Sequence, residues 1–530
     1  MFIFDYILSS RKQVLSIAVG IDLGTTNSAI SYIKDGNIQM IPIEGKNTFP
    51  SVIAVRNGEI LSGQQAKSRL LIDPDNTISS SKRDIGEDIT YNLGGKIFTP
   101  EDIAFHILSA MKEKAESYLK EEIKEAVITV PAYFTSEQRE RTMNAGKRAG
   151  FNVLRLIPEP TAAALDYGME QDKNQTIMVY DLGGGTFDIS IMRVEENDFE
   201  ILTVVGDSKL GGDDFNDVIT NILCQKVNRD LGIIITLQKE KKYISAITKL
   251  KEAAERAKID LSELMEVEII IPNLIDDYCF EKVIRRSEFN NAAKPLVDKT
   301  LEKVDSALKT LNFTSKDIDK VILVGGSTKM PIIREAVEEK IKEPYMASNV
   351  DEVVARGAAI MAVSLSNPDY KKKSGIDLSK KIAVKEKAVF TYGVDMLNSC
   401  GELKFNPIIK KGTLLPAVNG IIGSTSREYQ NGVLLNVYRG ESLELKENEY
   451  LGELSFDIKN PVREMVPVLA LFEIDNNMII RFRSVQIPTT KEYLKLIEND
   501  DIKGLKYCLD SGKLRATEVI IDGKKKNKNL

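Results

Sequence analysis

Residues 176–192, TIMVYDLGGGTFDISIM, constrain this chain more tightly than any other stretch. An apolar run ends at Asp181, a glycine triplet turns it, and a second apolar run leaves through Thr186, Phe187 and Asp188. Apolar runs bracketing glycines specify two strands and a tight turn. Gly183, Gly184 and Gly185 carry no Cβ, so their backbone can close on an anion such as phosphate. Asp181 and Asp188 flanking that anion call for a hydrated cation between them, and Thr186 adds a hydroxyl donor. Residues 17–33, IAVGIDLGTTNSAISYI, repeat the device with a strand, Asp22-Leu23-Gly24, the hydroxyls of Thr25 and Thr26, and a second strand. The repeat predicts two halves of similar design, each presenting a phosphate hairpin and a carboxylate to one cleft.

A chain of 530 residues has room for three or four domains. Its net charge of −6, from 72 basic and 78 acidic residues, gives no global basic field for nucleic acid. The single histidine, His106, argues against histidine-ligated zinc and a Ser-His-Asp site. It stands in the helical run 99–120 beside Ile103, Ile107 and Met111, as a helix-flank residue. Four cysteines without CxxC spacing read as thiols in a reducing compartment. The first residues, MFIFDYILSSRKQ, place basic residues after a short apolar run broken by Asp5, the reverse of a signal peptide. No run approaches the ~18 apolar residues of a membrane span. Residues 1–16 read as an extension before the first strand, and the chain as soluble and cytoplasmic.

Further along, Lys82 and Arg83 stand in the polar loop SSSKRDIG, either as solvated surface or with the lysine turned into the cleft. Thr99-Pro100-Glu101-Asp102 starts a helix, and Thr135 to Gln138 forms a capping box for another that closes at Gly150. In IPEPTAAALDYG, prolines flank Glu159 and hold an acid that could position a water, while the alanines permit close helix approach. LGGDDF is another glycine turn, and the helix over 248–264 carries Glu255, Lys258 and Ser262 at helical spacing, by itself a solvent face. VILVGGSTKMP runs a buried strand into Gly325, Gly326, Ser327 and Thr328 and then a helix at Pro331, which suits a nucleotide's sugar or phosphate. Residues 366–387 are lysine-rich and read as a linker. Short alternating runs over 388–488 predict an antiparallel β domain. Helical patterns at 489–498 and 501–510 and the basic GKKKNKNL follow.

In order and spacing, AVGIDLGTTNS, VPAYFTSEQR, PEPTAAALDYG, YDLGGGTFDIS, LGGDDF and VILVGGSTKMP make residues 17–485 resemble the DnaK-type, 70-kDa heat-shock chaperone family. YGVDM, NPIIKKGTLLP and VYRGE match its peptide-binding sandwich, and the loop near 86–97 and short C-terminus resemble HscC-type short variants. The resemblance implies a two-lobed, actin-like α/β ATPase domain at 17–365, the linker at 366–387, an antiparallel β-sandwich at 388–488 and a short helical hairpin with basic tail at 489–530. It also implies ATP or ADP, Mg2+ and K+, and unfolded or client polypeptides bound in a protein-folding, stress-response role. A J-domain co-chaperone and a nucleotide exchange factor would be the partners.

Residue by residue, the resemblance gives Lys82, Glu159, Asp181 and Thr186 to catalysis and Asp22, Asp181 and Asp188 to the metal. Gly24, Thr25, Thr26, Asn27, Gly184, Gly185, Gly326, Ser327 and Lys329 would hold the nucleotide, with Glu255, Lys258 and Ser262 at the adenosine. Pro131, Arg139 and Arg155 match an interdomain relay, Leu397 and Ser426 an arch over bound peptide, and Val433 its central pocket. Where many members stack arginines on adenine, this chain has Ile259 and Lys329. The usual apolar linker is replaced by Ile382-Ala383-Val384-Lys385, and no long helical lid is present. Leu494, Ile497, Leu505 and Leu509 of the short hairpin should instead pack on the sandwich. A small-molecule kinase on the same two lobes would explain the hairpins but not the β domain. A non-hydrolysing scaffold would suit a degenerate pocket.

Overall fold

The computed structural model describes residues 17–168, 174–195, 198–237, 241–347, 349–375, 383–388, 390–398 and 400–520. The extension 1–16, Ile382 and the tail GKKKNKNL lie outside the described residues. The chain divides into two compact units, Met1–Tyr133 with Arg141–Val384, and Phe134–Glu140 with Lys385–Leu530.

The first unit holds two sheets built alike. In one, Ile17–Asp22, Asn27–Lys34 and Asn37–Met40 form an antiparallel meander, and Ile123–Val130 and Asn152–Pro158 extend it in parallel beyond Ile17–Asp22. In the other, Gln175–Leu182, Phe187–Glu195 and Asp198–Asp207 form the meander, with Lys320–Val324 and Tyr345–Met346 added in parallel. The repeated hairpin of the sequence is therefore a repeat of topology. The paired central strands are buried on both faces, which explains their unbroken apolar runs.

Helix Pro100–Leu119 starts as expected, Thr99 and Asp102 exchanging side-chain and backbone bonds. Two other helices tie the halves together. Glu159–Gly168 follows the first sheet in the chain yet packs against the second, since a Cβ on Gly168 would lie 2.7 Å from the Phe199 ring. Val353–Leu365 follows the second sheet yet packs against the first, with the Ser31 hydroxyl donating to the Ala355 carbonyl at 2.8 Å. The two cross where Gly357 meets Ala162, and a Cβ at Gly357 would stand 1.7 Å from the Ala162 carbonyl oxygen. Small residues are required there because backbone lies on backbone.

The stretch expected to be a linker from residue 366 begins as folded structure. Pro368–Ser374 is a helix, capped by the Asn367 side chain on the Tyr370 N–H. Tyr370 is buried and its hydroxyl donates to the Ile33 carbonyl at 3.1 Å. One aromatic anchor holds a segment whose lysines otherwise give it a linker's composition.

The second unit contains two four-stranded antiparallel sheets. One runs Leu403–Ile409, Tyr392–Leu397, Gly432–Arg439, Glu449–Asp457, and the other Ala417–Ser424, Pro467–Ile474, Ile480–Gln486, Thr517–Ile520. Alternation along Pro467–Ile474 sends Ala470, Phe472 and Ile474 into a core with Val394, Val437 and Phe482. Leu469 and Leu471 point the other way, where Lys491–Glu498 and Ile502–Asp510 cover them with Tyr493, Leu505, Cys508 and Leu509. Ile497 packs against this cluster as expected, but Leu494 is 39% exposed and Leu496 takes its place. The last strand, Thr517–Ile520, was not foreseen, because four residues show too little alternation to announce a strand.

Candidate active site

The two glycine hairpins face one cavity of about 300 Å³ in the first unit. Asp22 ends its strand and accepts a hydrogen bond from the Thr129 hydroxyl at 3.1 Å. Asp181 and Asp188 face each other across the second hairpin. All three aspartates are pushed toward the protonated state, chiefly by burial and then by neighbouring acids. Asp22 rises to about 7, with Glu159 adding to the effect of burial. Asp188 likewise rises to about 7, and Asp181 is held well above the usual carboxylate range. The opposing cation is Lys82, whose ammonium meets a Glu159 carboxylate oxygen at 2.5 Å.

Lys82 therefore does not sit in a solvated loop. Ser81–Asp84 is one turn of 3-10 helix, and Lys82 is only 6% exposed. Glu159 is equally enclosed at the start of its helix, where Pro158 and Pro160 restrict the backbone. Buried negative charge in this excess is costly unless a cation joins it. Asp22 and Asp181 line the cavity, and Asp188 stands opposite Asp181. The donor set thus fits a magnesium ion that keeps most of its water.

Gly24, Thr25, Thr26, Asn27, Gly183, Gly184 and Thr186 line the cavity together. A Cβ on Gly184 would lie 1.9 Å from Thr26 Oγ1, so this close approach excludes any larger residue. Thr26 Oγ1 is buried with no hydrogen-bond partner, an orphan that a phosphate oxygen would satisfy. Gly185 and Asp188 are not in the lining; Gly185 packs behind it against Thr25 and Arg83.

The far end is lined by Glu255, Lys258, Ile259, Gly326, Ser327 and Lys329. Burial holds the Lys258 amine below its usual pKa, and it donates to the Gly212 carbonyl at 3.0 Å. Ile259 presents an exposed apolar face, and Lys329 pairs with Asp351 at 2.6 Å. Ser262 is one turn beyond, its hydroxyl bonded to the Lys258 carbonyl, and it does not reach the lining. Sequence reasoning missed Asp351, Thr48 and Val350, which line the cavity from segments without a recognisable turn. It also missed three pairs that bridge the cleft: Lys67 with Glu255 at 3.1 Å, Ser80 with Asp213 at 2.8 Å and Arg83 with Asp214 at 2.7 Å.

A protein-family model described as Hsp70 protein matches residues 18–93 and 87–506. The chain belongs to the Hsp70 family. It is thereby an ATP-dependent chaperone, and Hsp70 proteins are ATPases that bind ATP or ADP with magnesium and act on client polypeptides with co-chaperones. Nothing favours the kinase alternative.

In the second unit of this Hsp70 chain, Leu397 ends a strand with 49% of its surface exposed. Ser426 is also exposed, its N–H donating to the Gln430 side chain at 2.9 Å. Val433 is half-buried beside Ile458, Val466, Val468 and Phe456. Of Pro131, Arg139 and Arg155, Pro131 is buried just after strand Ile123–Val130, and Arg155 is half-buried in Asn152–Pro158. Arg139 is fully buried and donates through Nε to the Phe134 carbonyl at 3.1 Å. The four cysteines are free thiols, Cys224 and Cys508 buried, Cys279 and Cys400 exposed. Among the described residues no helix is long and apolar enough to cross a membrane.

Proposed function

We propose that the cleft of the first unit hydrolyses Mg-ATP and that the hydrolysis state sets how tightly the second unit holds an extended apolar segment of a client. The observation that carries this reading is the enclosed Lys82–Glu159 pair among Asp22, Asp181 and Asp188, set against two glycine hairpins. Lys82 contacts the γ-phosphate, and Glu159 orients the water that attacks it. Thr186, Thr25 and Thr26 donate hydroxyls to phosphate oxygens, and Gly24, Asn27, Gly184 and Gly326 bring backbone to the nucleotide, with Gly185 supporting Thr25 from behind. Asp22, Asp181 and Asp188 would hold magnesium, whose charge would offset that of the phosphates, and a potassium ion would be a further cofactor. The protein's own contribution is positioning and charge complementarity. Glu255, Lys258, Ser327 and Lys329 hold the adenosine, with Ile259 offering it an apolar face; Ser262 acts through Lys258.

Leu397 and Ser426 arch over the peptide, Val433 lines its pocket, and Pro131, Arg139 and Arg155 relay the nucleotide state between domains. A J-domain co-chaperone and a nucleotide exchange factor are the expected partners, in the cytoplasm, with an HscC-like architecture. Phosphate release from ATP alone, stimulated by an unstructured apolar peptide and indifferent to sugars, tests the reading. Release stimulated by a sugar hydroxyl, with the sugar phosphorylated, would replace it with the kinase.

A further inference from the structure

Two charged residues stand at the helix crossing of the first unit without a part in the chemistry proposed above. Arg356 is the only charged residue of VVARGAAIMAVSL, and Asp166 accompanies Glu159 as the only other one of EPTAAALDYG. Arg356 Nε reaches both carboxylate oxygens of Asp166, at 2.9 and 3.0 Å. The Asp166 side chain is 11% exposed and that of Arg356 31%. Arg356 neighbours Gly357, and Asp166 lies one turn from Ala162, so the pair flanks the backbone-on-backbone contact of the two helices. A mostly buried ion pair is a poor choice for packing alone, where two apolar side chains serve as well.

Its placement suggests a different use. The chain passes between the two halves just after Gly168 and just before Val353, beside Asp166 and Arg356. Each helix packs on the sheet of the other half, so the pair joins the halves behind the cleft. The pairs Lys67–Glu255, Ser80–Asp213 and Arg83–Asp214 join them across it. Gly357 lies directly against the Ala162 carbonyl, and with backbone on backbone the crossing offers a pivot on which the two helices can turn. An ion pair off that pivot resists over a longer range than a packing contact, and salt weakens it because Arg356 is partly solvated.

We propose that Asp166 and Arg356 form an ionic strap across the hinge that sets the rate of nucleotide release. The proposal rests on the reading of the cleft as a nucleotide site. Stopped-flow dissociation of a fluorescent ADP with magnesium from the full chain, at low and high salt, tests it. Arg356→Ala and Asp166→Asn should each release ADP about five- to tenfold faster at low salt and lose most of the salt dependence of the wild type. Single-turnover hydrolysis should stay near wild type even where loss of one partner of a mostly buried pair lowers the thermal midpoint, and the exchange Asp166→Arg with Arg356→Asp should restore slow release. Release unchanged in both single variants overturns the strap. So does faster release that comes with equal losses of hydrolysis and thermal midpoint and is not restored by the exchange, since that marks general loosening. A wild-type chain that binds no ADP overturns the nucleotide reading itself, and the strap falls with it.

Discussion

The cleft of the first unit takes charge out of water, whereas the second unit, like the outer surface of the first around Ile72, Ile234 and Met265, leaves large apolar side chains in it. Lys82, Glu159, Asp22 and Asp181 line the cleft with Asp188 buried opposite Asp181, and the three aspartates are driven toward protonation. In the second unit Leu397, Leu403, Leu434, Tyr429 and Met465 are each about half exposed or more. Either arrangement is unfavourable for the free protein, and each is repaired by a different kind of ligand. A hydrated cation with phosphates answers the first, an extended apolar chain the second. The two proposed sites thus depart from ordinary burial in opposite directions, the cleft around Lys82 by enclosed charge and the surface at Leu397 by exposed apolar area.

The sharpest way to separate exposed apolar surface that serves binding from surface that serves folding is to delete residues 491–530. That removes the cover over Leu469, Leu471, Val485 and Ile487, which are buried in the intact chain. We expect the second unit to lose on the order of 5 kcal/mol, read as a vanished or early urea transition, while basal ATP turnover persists. An unchanged transition would mean that the sheet's outer face tolerates water as Leu397 does.

The next largest effect should follow Lys82→Ala. Loss of the cation that faces the acidic cluster should lower multiple-turnover phosphate release by about 10²–10³-fold, with ATP binding largely retained by the hairpins. Turnover within a few-fold of wild type would place the buried pair among structural ion pairs.

On the apolar side, Val433→Ala removes about two methylene equivalents and should weaken an apolar peptide about tenfold, by fluorescence anisotropy. Nucleotide affinity should not move. An unaffected peptide would shift the binding surface to other exposed residues of the unit.

The smallest effect concerns protons. In the metal-free chain Asp22 and Asp188 keep their protons up to about pH 7, whereas unfolded aspartates release them near ~3.9. Between those values the folded state binds more protons, so stability falls as pH rises. With a chelator present, these two groups should lower the thermal midpoint from pH 5 to pH 7.5 by a few degrees. Asp22→Asn combined with Asp188→Asn should flatten that slope, and an identical slope in the double variant would assign it to other groups.

How much of this was legible in the sequence depended on whether a feature was local. The hairpins announced themselves because glycine, aspartate and apolar runs are contiguous, and the strand pairing places Asp181 opposite Asp188 as that pattern requires. Lys82 remained open between surface and cleft, since only burial by distant segments distinguishes the two. Ser262 shows the reverse: helical spacing put it near Lys258, but its hydroxyl turns back to the helix and does not reach the lining. Asp351 and the Asp166–Arg356 pair left no trace, because their partners lie far away in the chain. Tyr370 shows how one buried ring outweighs a run of lysines.

The closing strand Thr517–Ile520 has a consequence for life among unfolded chains. A protein that holds sticky segments of others is exposed to strand-by-strand growth at every free sheet edge. Here Thr517–Ile520 takes the edge beside Ile480–Gln486 and is itself only four residues long. On the other sheet, the edge strand Leu403–Ile409 carries Pro407, which has no N–H to offer a newcomer, and Lys404. Its opposite edge, Glu449–Asp457, carries Glu449, Glu453 and Asp457. Among the described residues, three of the two sheets' four borders are blunted by shortness, proline or charge, which disfavours strand-by-strand growth of a second chain on them.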